Sequence, residues 1–470
     1  VLRHANLCVW DTGLGKSHLA MASAAICFED DLIDLCVVVC EQNKLGEWPE
    51  DFERFTGLTV GKYHGPRRKK LLDDPPQVMV TTYETMRNDV GIKDGPRKIA
   101  PGPMLGWLSG KRVLVVYDEM VAKLGASRGS SNYKHHQFML NELRKVGDVR
   151  VLSLTATPVD RDPESTFNMI RLIYPGFCTV NQFENDHVVY RDIYGKARKF
   201  KNLDFAEDHG VVPLREKIAP ILLVKRKTDP DVVDQFPKQV EEFTYTPLGD
   251  KHQDFYDAIV KEYASQASTP FEEAGIFTVL RQIAAHPMSL LRSHGETAQD
   301  IVRQVGVEGL EALGSTKTDR LMEYLSLVVD SQGSKAVVFT FFGQSVLPIL
   351  AERIRAAGIS VVVNHGAMSS TQREEAKAEF RFGEAQVFLS SDAGARGLNL
   401  PEGLYVVNYE LPLTHANYIQ RINRIHRIDS PHPSVTCQSL ITPHTIEEGI
   451  AKLVQRGNEW NDTLLGDEDE

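Results

Sequence analysis

The 470-residue sequence is short of several things, and each shortage excludes a class of protein. No apolar run approaches the ~20 residues of a membrane span, and no signal-peptide pattern opens the chain. Neither a membrane-embedded nor a secreted protein is therefore expected. There are six cysteines and no CxxC pair, which argues against a zinc site or a disulfide framework. Cys36 and Cys40, in an apolar run, are expected in the core of a protein from a reducing, cytosol-like compartment. Basic residues are outnumbered: 53 Lys and Arg against 64 Asp and Glu give a net charge of −11. As a bulk property this counts against a nucleic-acid partner, so any phosphate contact has to come from local patches. What remains, 42% hydrophobic and 25% charged residues, is the composition of a globular chain long enough for two or three domains.

The strongest local signal stands near the start. An apolar run, Ala5 to Trp10, leads into Asp11-Thr12-Gly13-Leu14-Gly15-Lys16-Ser17, and a helical stretch from His18 to Phe28 follows. Strand, glycine-rich turn, Lys-Ser and helix form the context of a phosphate-binding loop. Gly13 and Gly15 let backbone N–H groups curl around phosphate oxygens at a helix N-terminus, Lys16 reaches the β/γ-phosphates, and Ser17 ligates Mg2+. Trp10 stands where the full pattern has a small residue. The loop lies so close to Val1 that a segment upstream is expected to be missing.

Further β-rich runs follow at 35–40, 78–83, 112–119 and 149–154, alternating with helical or turn-rich segments. This half therefore reads as a parallel α/β sheet whose ligands lie beyond the strands' carboxyl ends. The third run ends in Asp118 and Glu119. The first carboxylate suits the Mg2+ shell, and the second suits orienting or deprotonating an attacking water. Thr155-Ala156-Thr157-Pro158 ends the fourth run. Gly125 to Gly129 matches a GxSxG pattern but lies in a Gly/Ser-rich loop, so no serine nucleophile is expected. From about 160 to 315 the periodicity becomes helical, with basic clusters at Lys196–Lys201 and Lys225-Arg226-Lys227. From Lys335 the α/β alternation returns without a second phosphate loop. Instead there are Ser390-Ser391-Asp392, the stretch to Leu400, and Gln420 to Arg427. On a continuous helix Gln420, Arg424 and Arg427 share one face.

GLGKS, YDE and LTATP in that order resemble the first motor domain of superfamily-two helicases. VVVCEQNKLGEWPEDFERF, KYHGPRRKK, VMVTTYETMRND and ILLVKRKTDPDVVDQFPKQVEEF resemble blocks of its SWI/SNF-type branch of double-stranded-DNA translocases, and a compact bacterial or phage-type member is expected. The resemblance implies two RecA-like parallel-sheet lobes with a mainly helical insertion between them. The division expected is 1–160, 161–315, 316–445, and 446–470 as a bracing helix and acidic tail. It implies ATP and Mg2+ as ligands, with Lys16, Asp118, Glu119, Gln420, Arg424 and Arg427 catalytic and Arg424 and Arg427 the finger candidates. Gly13, Gly15, Lys16, Ser17 and Gly397 hold nucleotide, and Ser17 and Asp118 hold Mg2+. Thr81, Thr82, Lys225, Arg226, Ser390, Arg396 and Asn399 are assigned to DNA. Val121 stands where the branch usually has histidine, Asn423 where QxxGRxxR has glycine, and Arg396 where the branch usually has an acidic residue. The function implied is ATP-driven movement along, or remodelling of, duplex DNA by a monomer in a bacterial or phage-infected cytoplasm, or in a nucleus if eukaryotic. Two alternatives stay open: an ATPase-impaired DNA-binding scaffold and an RNA-directed helicase of the same superfamily.

Overall fold

The computed structural model describes residues 3–93, 99–125, 127–159, 162–190, 198–201, 210–263, 269–331, 333–395 and 398–465. The chain divides into two compact units, 1–230 with 457–470, and 231–456.

The first unit is built on a seven-stranded sheet. Its strands are β1 (Ala5–Trp10), β2 (Leu35–Cys40), β3 (Val60–Lys62), β4 (Val78–Thr82), β5 (Val113–Asp118), β6 (Val149–Thr155) and β7 (Leu222–Lys225). They lie in the order β7-β1-β6-β5-β2-β4-β3, every pairing parallel. Parallel strands covered on both faces need apolar side chains in both directions, which is why LCVVVC shows no polar alternation. Val37 and Val39 pack with Leu7, Val115, Tyr117 and Val151 on one face. Cys36, Val38 and Cys40 pack with Cys8, Leu114, Val116 and Leu152 on the other. The expected helix after the phosphate loop is present and begins earlier, spanning Lys16–Glu29.

The second unit holds a six-stranded parallel sheet: β8 (Lys238–Tyr245), β9 (Ala336–Thr340), β10 (Val361–Asn364), β11 (Val387–Ser391), β12 (Tyr405–Asn408) and β13 (Ser434–Ile441). Their order is β8-β13-β12-β9-β11-β10. Val338, Leu389 and Val407 face one core, and Val337, Phe339, Phe388 and Val406 face the other. The α/β reading with two parallel-sheet lobes is what the structure has.

The stretch 161–315 is shared between the two units. Its helices include Pro163–Ile173 in the first unit and Asp250–Tyr263, Pro270–Ala285 and Glu296–Glu311 in the second. It also contains β7 and β8, each added to an edge of one sheet. These two strands are short or exposed, so their sequences lack the apolar runs that mark the central strands. The C-terminal helix, Ile446–Leu465, ends inside the first unit, where Leu464 is buried. No described helix is long and apolar enough to cross a membrane.

Candidate active site

In the first unit the phosphate loop leaves β1 at Trp10. Gly13 and Gly15 have φ of 95° and 87°, the left-handed region that side chains resist. A residue with a Cβ at either position would strain the turn. The Lys16 ammonium donates to the Trp10 carbonyl (2.8 Å), which folds the side chain back over the loop. Ser17 sits in the first helical turn, half-buried.

Two strands away, Asp118 ends β5 and Glu119 follows it. The indole N–H of Trp48 donates to Asp118 Oδ2 (3.0 Å), and the Tyr83 hydroxyl donates to the Asp118 carbonyl (2.8 Å). Glu119 has φ of 52°, uncommon for a side chain of this size. Its N–H donates to the Leu154 carbonyl (2.9 Å), and its carboxylate accepts from Thr155 Oγ1 (3.2 Å). Thr155 Oγ1 also accepts from the Thr157 N–H (3.2 Å), so LTATP forms a turn that presents one hydroxyl to Glu119. Burial raises both carboxyls above their ordinary range, while the nearby Lys16 charge pulls both down. Lys16, Asp118 and Glu119 thus form one electrostatic group at the carboxyl ends of the sheet, where ligands of such sheets sit. Val121 is buried in the turn Val121–Gly125 that follows.

Mg2+ takes one or two carboxylates together with hydroxyl, phosphate and water oxygens, and it does not need an all-protein cage. No cluster of three His, Cys, Asp or Glu side chains is found among the described residues. One carboxylate, Asp118, and one hydroxyl, Ser17, are therefore a donor set that fits Mg2+ bound with a nucleotide, with Trp48 orienting the carboxylate.

Within the first unit the residues assigned to DNA are not gathered in one place. Thr81 is fully buried and donates to the Tyr63 carbonyl (2.9 Å). Thr82 caps the helix Tyr83–Val90 by accepting from the Thr85 N–H (3.2 Å), and its own hydroxyl goes to Thr85 Oγ1 (2.9 Å). Both hydroxyls are spent inside the lobe. Lys225 ends β7 opposite Trp10, so the basic run borders the phosphate loop; the Asp11 N–H donates to the Lys225 carbonyl (3.0 Å), and the Lys227 N–H to Asp11 Oδ2 (2.8 Å). Lys225 also pairs with Asp229 (3.1 Å), whose carboxylate accepts from the Arg226 N–H (3.1 Å). Five strand spacings, about 24 Å, separate β7 from β4. Of the other basic cluster, Lys196–Lys201, the first two residues fall outside the described residues and Arg198–Phe200 form a short strand.

In the second unit Ser390 is fully buried, donating to the Ser391 carbonyl (3.0 Å) and accepting from Asn364 Nδ2 (3.1 Å). Arg396 and Gly397 lie outside the described residues. Asn399 is half-buried, and its Oδ1 has no partner among the described residues. The shared helical face expected for Gln420, Arg424 and Arg427 is not formed. The helix is His415–Ile422; Gln420 lies in its last turn, and Arg424 and Arg427 follow on turns. Tertiary contacts stop the helix: the Leu400 N–H donates to the Arg424 carbonyl (2.9 Å), Ile425 enters the core, and His426 Nε2 meets the Pro237 carbonyl (2.9 Å). Arg424 Nη1 donates to the Leu398 carbonyl (3.1 Å).

The residue that sequence reasoning passed over is Arg421. It is 2% exposed, lies over the Phe339 ring and donates to Asp392 (2.7 Å), Asn408 Oδ1 (3.0 Å) and the Glu410 carbonyl (2.7 Å). It ties three strand ends to the helix before the arginine turn. Trp48 and Thr155 were likewise unassigned. A tryptophan in an amphipathic helix gives no local sign that its N–H will reach a carboxylate 70 residues away.

The SNF2-related domain family matches residues 4–293, and the helicase conserved C-terminal domain matches 316–429. The chain is 23% identical over 365 residues to an uncharacterised ATP-dependent helicase of Bacillus subtilis, YqhH, covering 76% of this chain and 61% of that one. It is 23% identical over 451 residues to a putative ATP-dependent helicase/translocase of the same organism, YwqA, covering 92% of this chain and 43% of that one. It thus spans less than two thirds of the length of either relative. Among solved structures, the Pyrococcus furiosus Hef helicase domain shares the fold at a TM-score of 0.56 and 17% identity, over 96% of this chain and 95% of that one. With the family match running through most of both units, and the phosphate loop and the Asp118-Glu119 strand end inside it, the chain belongs to the SNF2-related helicase family.

Proposed function

We propose that this chain hydrolyses ATP and uses the cycle to move along, or remodel, double-stranded DNA. The observation that carries the reading is the group formed by Lys16, Asp118 and Glu119 beside a loop held open by Gly13 and Gly15. In it, Lys16 and the loop N–H groups hold the phosphates, and Ser17 and Asp118 hold Mg2+. The metal supplies positive charge against the phosphate oxygens. Glu119 orients the attacking water and accepts its proton; a carboxyl raised by burial is a better base than an exposed one, and the Thr155 hydroxyl fixes which oxygen faces the water. Arg424 and Arg427 meet the charge that develops on the transferred phosphoryl group. The family match and the name helicase/translocase carried by one relative support a motor, and DNA as its track is supported by the name of a further relative, chromodomain-helicase-DNA-binding protein 1-like of Danio rerio, 24% identical over 97% of this chain.

The test is ATP hydrolysis by the chain alone, with duplex DNA and with single-stranded RNA, beside Glu119→Gln. Strong stimulation by duplex, abolished in the variant while nucleotide still binds, is expected. Stimulation by RNA alone would replace the track, and absence of turnover in a folded, nucleotide-binding chain would overturn the motor reading.

A further inference from the structure

The nucleotide site leans on a helix that carries none of its assigned ligands. After β2 the chain passes a 3-10 turn, Gln42–Lys44, and enters the helix Glu47–Phe55. The buried side of that helix, Trp48 and Phe52, packs in one core with Cys8 of β1, Met21 of the phosphate-loop helix and Val116 of β5. It is thus seated on the elements that lead to the phosphate loop and to Asp118. Contacts at its two ends reach neighbours of the site. The Phe55 ring meets the ring of His18, the residue after Ser17, edge-on with 4.7 Å between centroids. Ahead of the helix, Glu41 pairs with Lys123 (3.2 Å) in the turn that follows Glu119.

The contact with chemical consequence is the indole of Trp48, 2% exposed, on Asp118 Oδ2 (3.0 Å). The last torsion of an aspartate is broad and roughly two-fold, so the backbone alone does not settle which oxygen faces which way. The Tyr83 hydroxyl holds the Asp118 carbonyl, which fixes the main chain and leaves that torsion free. Among the described residues the Trp48 N–H is the sole hydrogen-bond donor to the carboxylate; it occupies Oδ2 and leaves Oδ1 open. An indole is a donor only, so it can neither ligate a cation nor take up a proton. A buried indole N–H needs an acceptor whatever its role, but for packing alone a main-chain carbonyl would serve. Here the acceptor is the one carboxylate assigned to a metal whose octahedral geometry is strict.

We propose that Trp48 is a positioning residue for the metal: its N–H sets the Asp118 carboxylate so that Oδ1 is the oxygen presented to Mg2+, and the helix Glu47–Phe55 holds the indole in place. The inference rests on the assignment of Mg2+ to Ser17 and Asp118 above and adds the residue that makes Asp118 a well-aimed ligand.

The test is calorimetric binding of the β,γ-imido analogue of ATP to the full chain, with Mg2+ and with a chelator in its place. Trp48→Phe keeps an aromatic ring and removes the donor. Benzothienylalanine at position 48, in which sulfur replaces the indole N–H, keeps the shape as well and serves should Trp48→Phe fail to fold. Trp107→Phe is the control, a tryptophan of the same unit whose ring lies under Lys111. Losing the outer partner of a metal ligand costs roughly 10- to 100-fold in metal affinity or activity. Binding with Mg2+ should therefore weaken about 10-fold in both position-48 variants, while binding without metal stays within about 2-fold of the parent. Half-maximal hydrolysis should need about 10-fold more Mg2+, with most of the rate recovered at saturating metal. Trp107→Phe should match the parent throughout. Asp118→Ala should lose the metal-dependent part of the affinity, and adding Trp48→Phe to it should remove nothing more. Parental affinity in Mg2+ in a folded position-48 variant overturns the proposal, and so does an equal fall with and without metal. A parent chain that binds the analogue equally well with and without Mg2+ overturns the metal assignment itself, and is recognised because no metal-dependent affinity then exists for Trp48 to change.

Discussion

Replacing Arg421 by methionine should unfold the second unit selectively. The guanidinium is 2% exposed, and its loss strands three acceptors: Asp392 Oδ1, Asn408 Oδ1 and the Glu410 carbonyl. An orphaned buried acceptor costs about 1–3 kcal/mol, and removing one member of a buried pair costs about 3–5 kcal/mol. These figures overlap and do not add. The Asp392 side chain is 27% exposed, so it recovers some hydration, and the expected loss is about 3 kcal/mol. That is a large share of the ~5–15 kcal/mol that holds a domain together. The sequence supplies a convenient assay. All four tryptophans, Trp10, Trp48, Trp107 and Trp460, belong to the first unit, so tryptophan fluorescence follows that unit alone while far-ultraviolet circular dichroism follows both. In Arg421→Met the dichroism transition should move to lower urea concentration and separate from the fluorescence transition, which should stay near its parental midpoint. Arg421→Lys keeps the charge with fewer donors and should recover only part of the loss. Arg424→Ala and Arg427→Ala should cost about 1 kcal/mol or less while reducing hydrolysis. Two coincident, unshifted transitions in Arg421→Met would refute the reasoning.

Three further outcomes follow from buried titrating groups. His136 is buried against Tyr117 and Tyr83, and burial lowers its pKa to about 4. A depressed histidine contributes its full stability above its unfolded value near 6.5 and loses it as pH falls towards 4. The first unit should therefore weaken by about 3 kcal/mol across that window in fluorescence-monitored unfolding, less so in His136→Gln. Glu119 has the opposite sense. A raised carboxyl favours the fold only while protonated, and that contribution is lost as pH rises through its folded value, so Glu119→Gln should raise the melting temperature at neutral pH and lose the gain in acid. Thr155→Val removes a donor that favours the charged form of Glu119. The acid limb of the hydrolysis profile should then move to higher pH, with Thr155→Ser restoring it.

The central strands were legible because a strand covered on both faces writes an unbroken apolar run, and Leu35–Cys40 was read to the residue. The phosphate loop and the Asp118-Glu119 pair were legible because their chemistry depends on close neighbours in sequence. What could not be read depended on distant partners. Nothing local ends a helix at Ile422, because neither glycine nor proline follows, and the stop comes from Leu400, the core around Ile425 and Pro237. Thr81 and Thr82 stand at a strand end, where hydroxyls often meet ligands, yet Tyr63 and a helix cap claim them. Strand β8 lies along a sheet edge with nearly every residue exposed, so its sequence carries no buried face to read.

The division of the chain also sets an order of manufacture. Asn461 holds Val159, 302 positions earlier in the chain, by two hydrogen bonds, 3.0 and 3.1 Å, and Leu464 fills part of the same core. On a ribosome, where domains generally fold as they emerge, residues 231–456 have all their strands before this closing segment is synthesised. The earlier-made unit must wait, with an open seat in its core, until its last helical turns arrive. Of the two units, the one that carries the nucleotide loop is thus begun before the other and completed after it, and over that interval its core exposes apolar surface that a chaperone would cover.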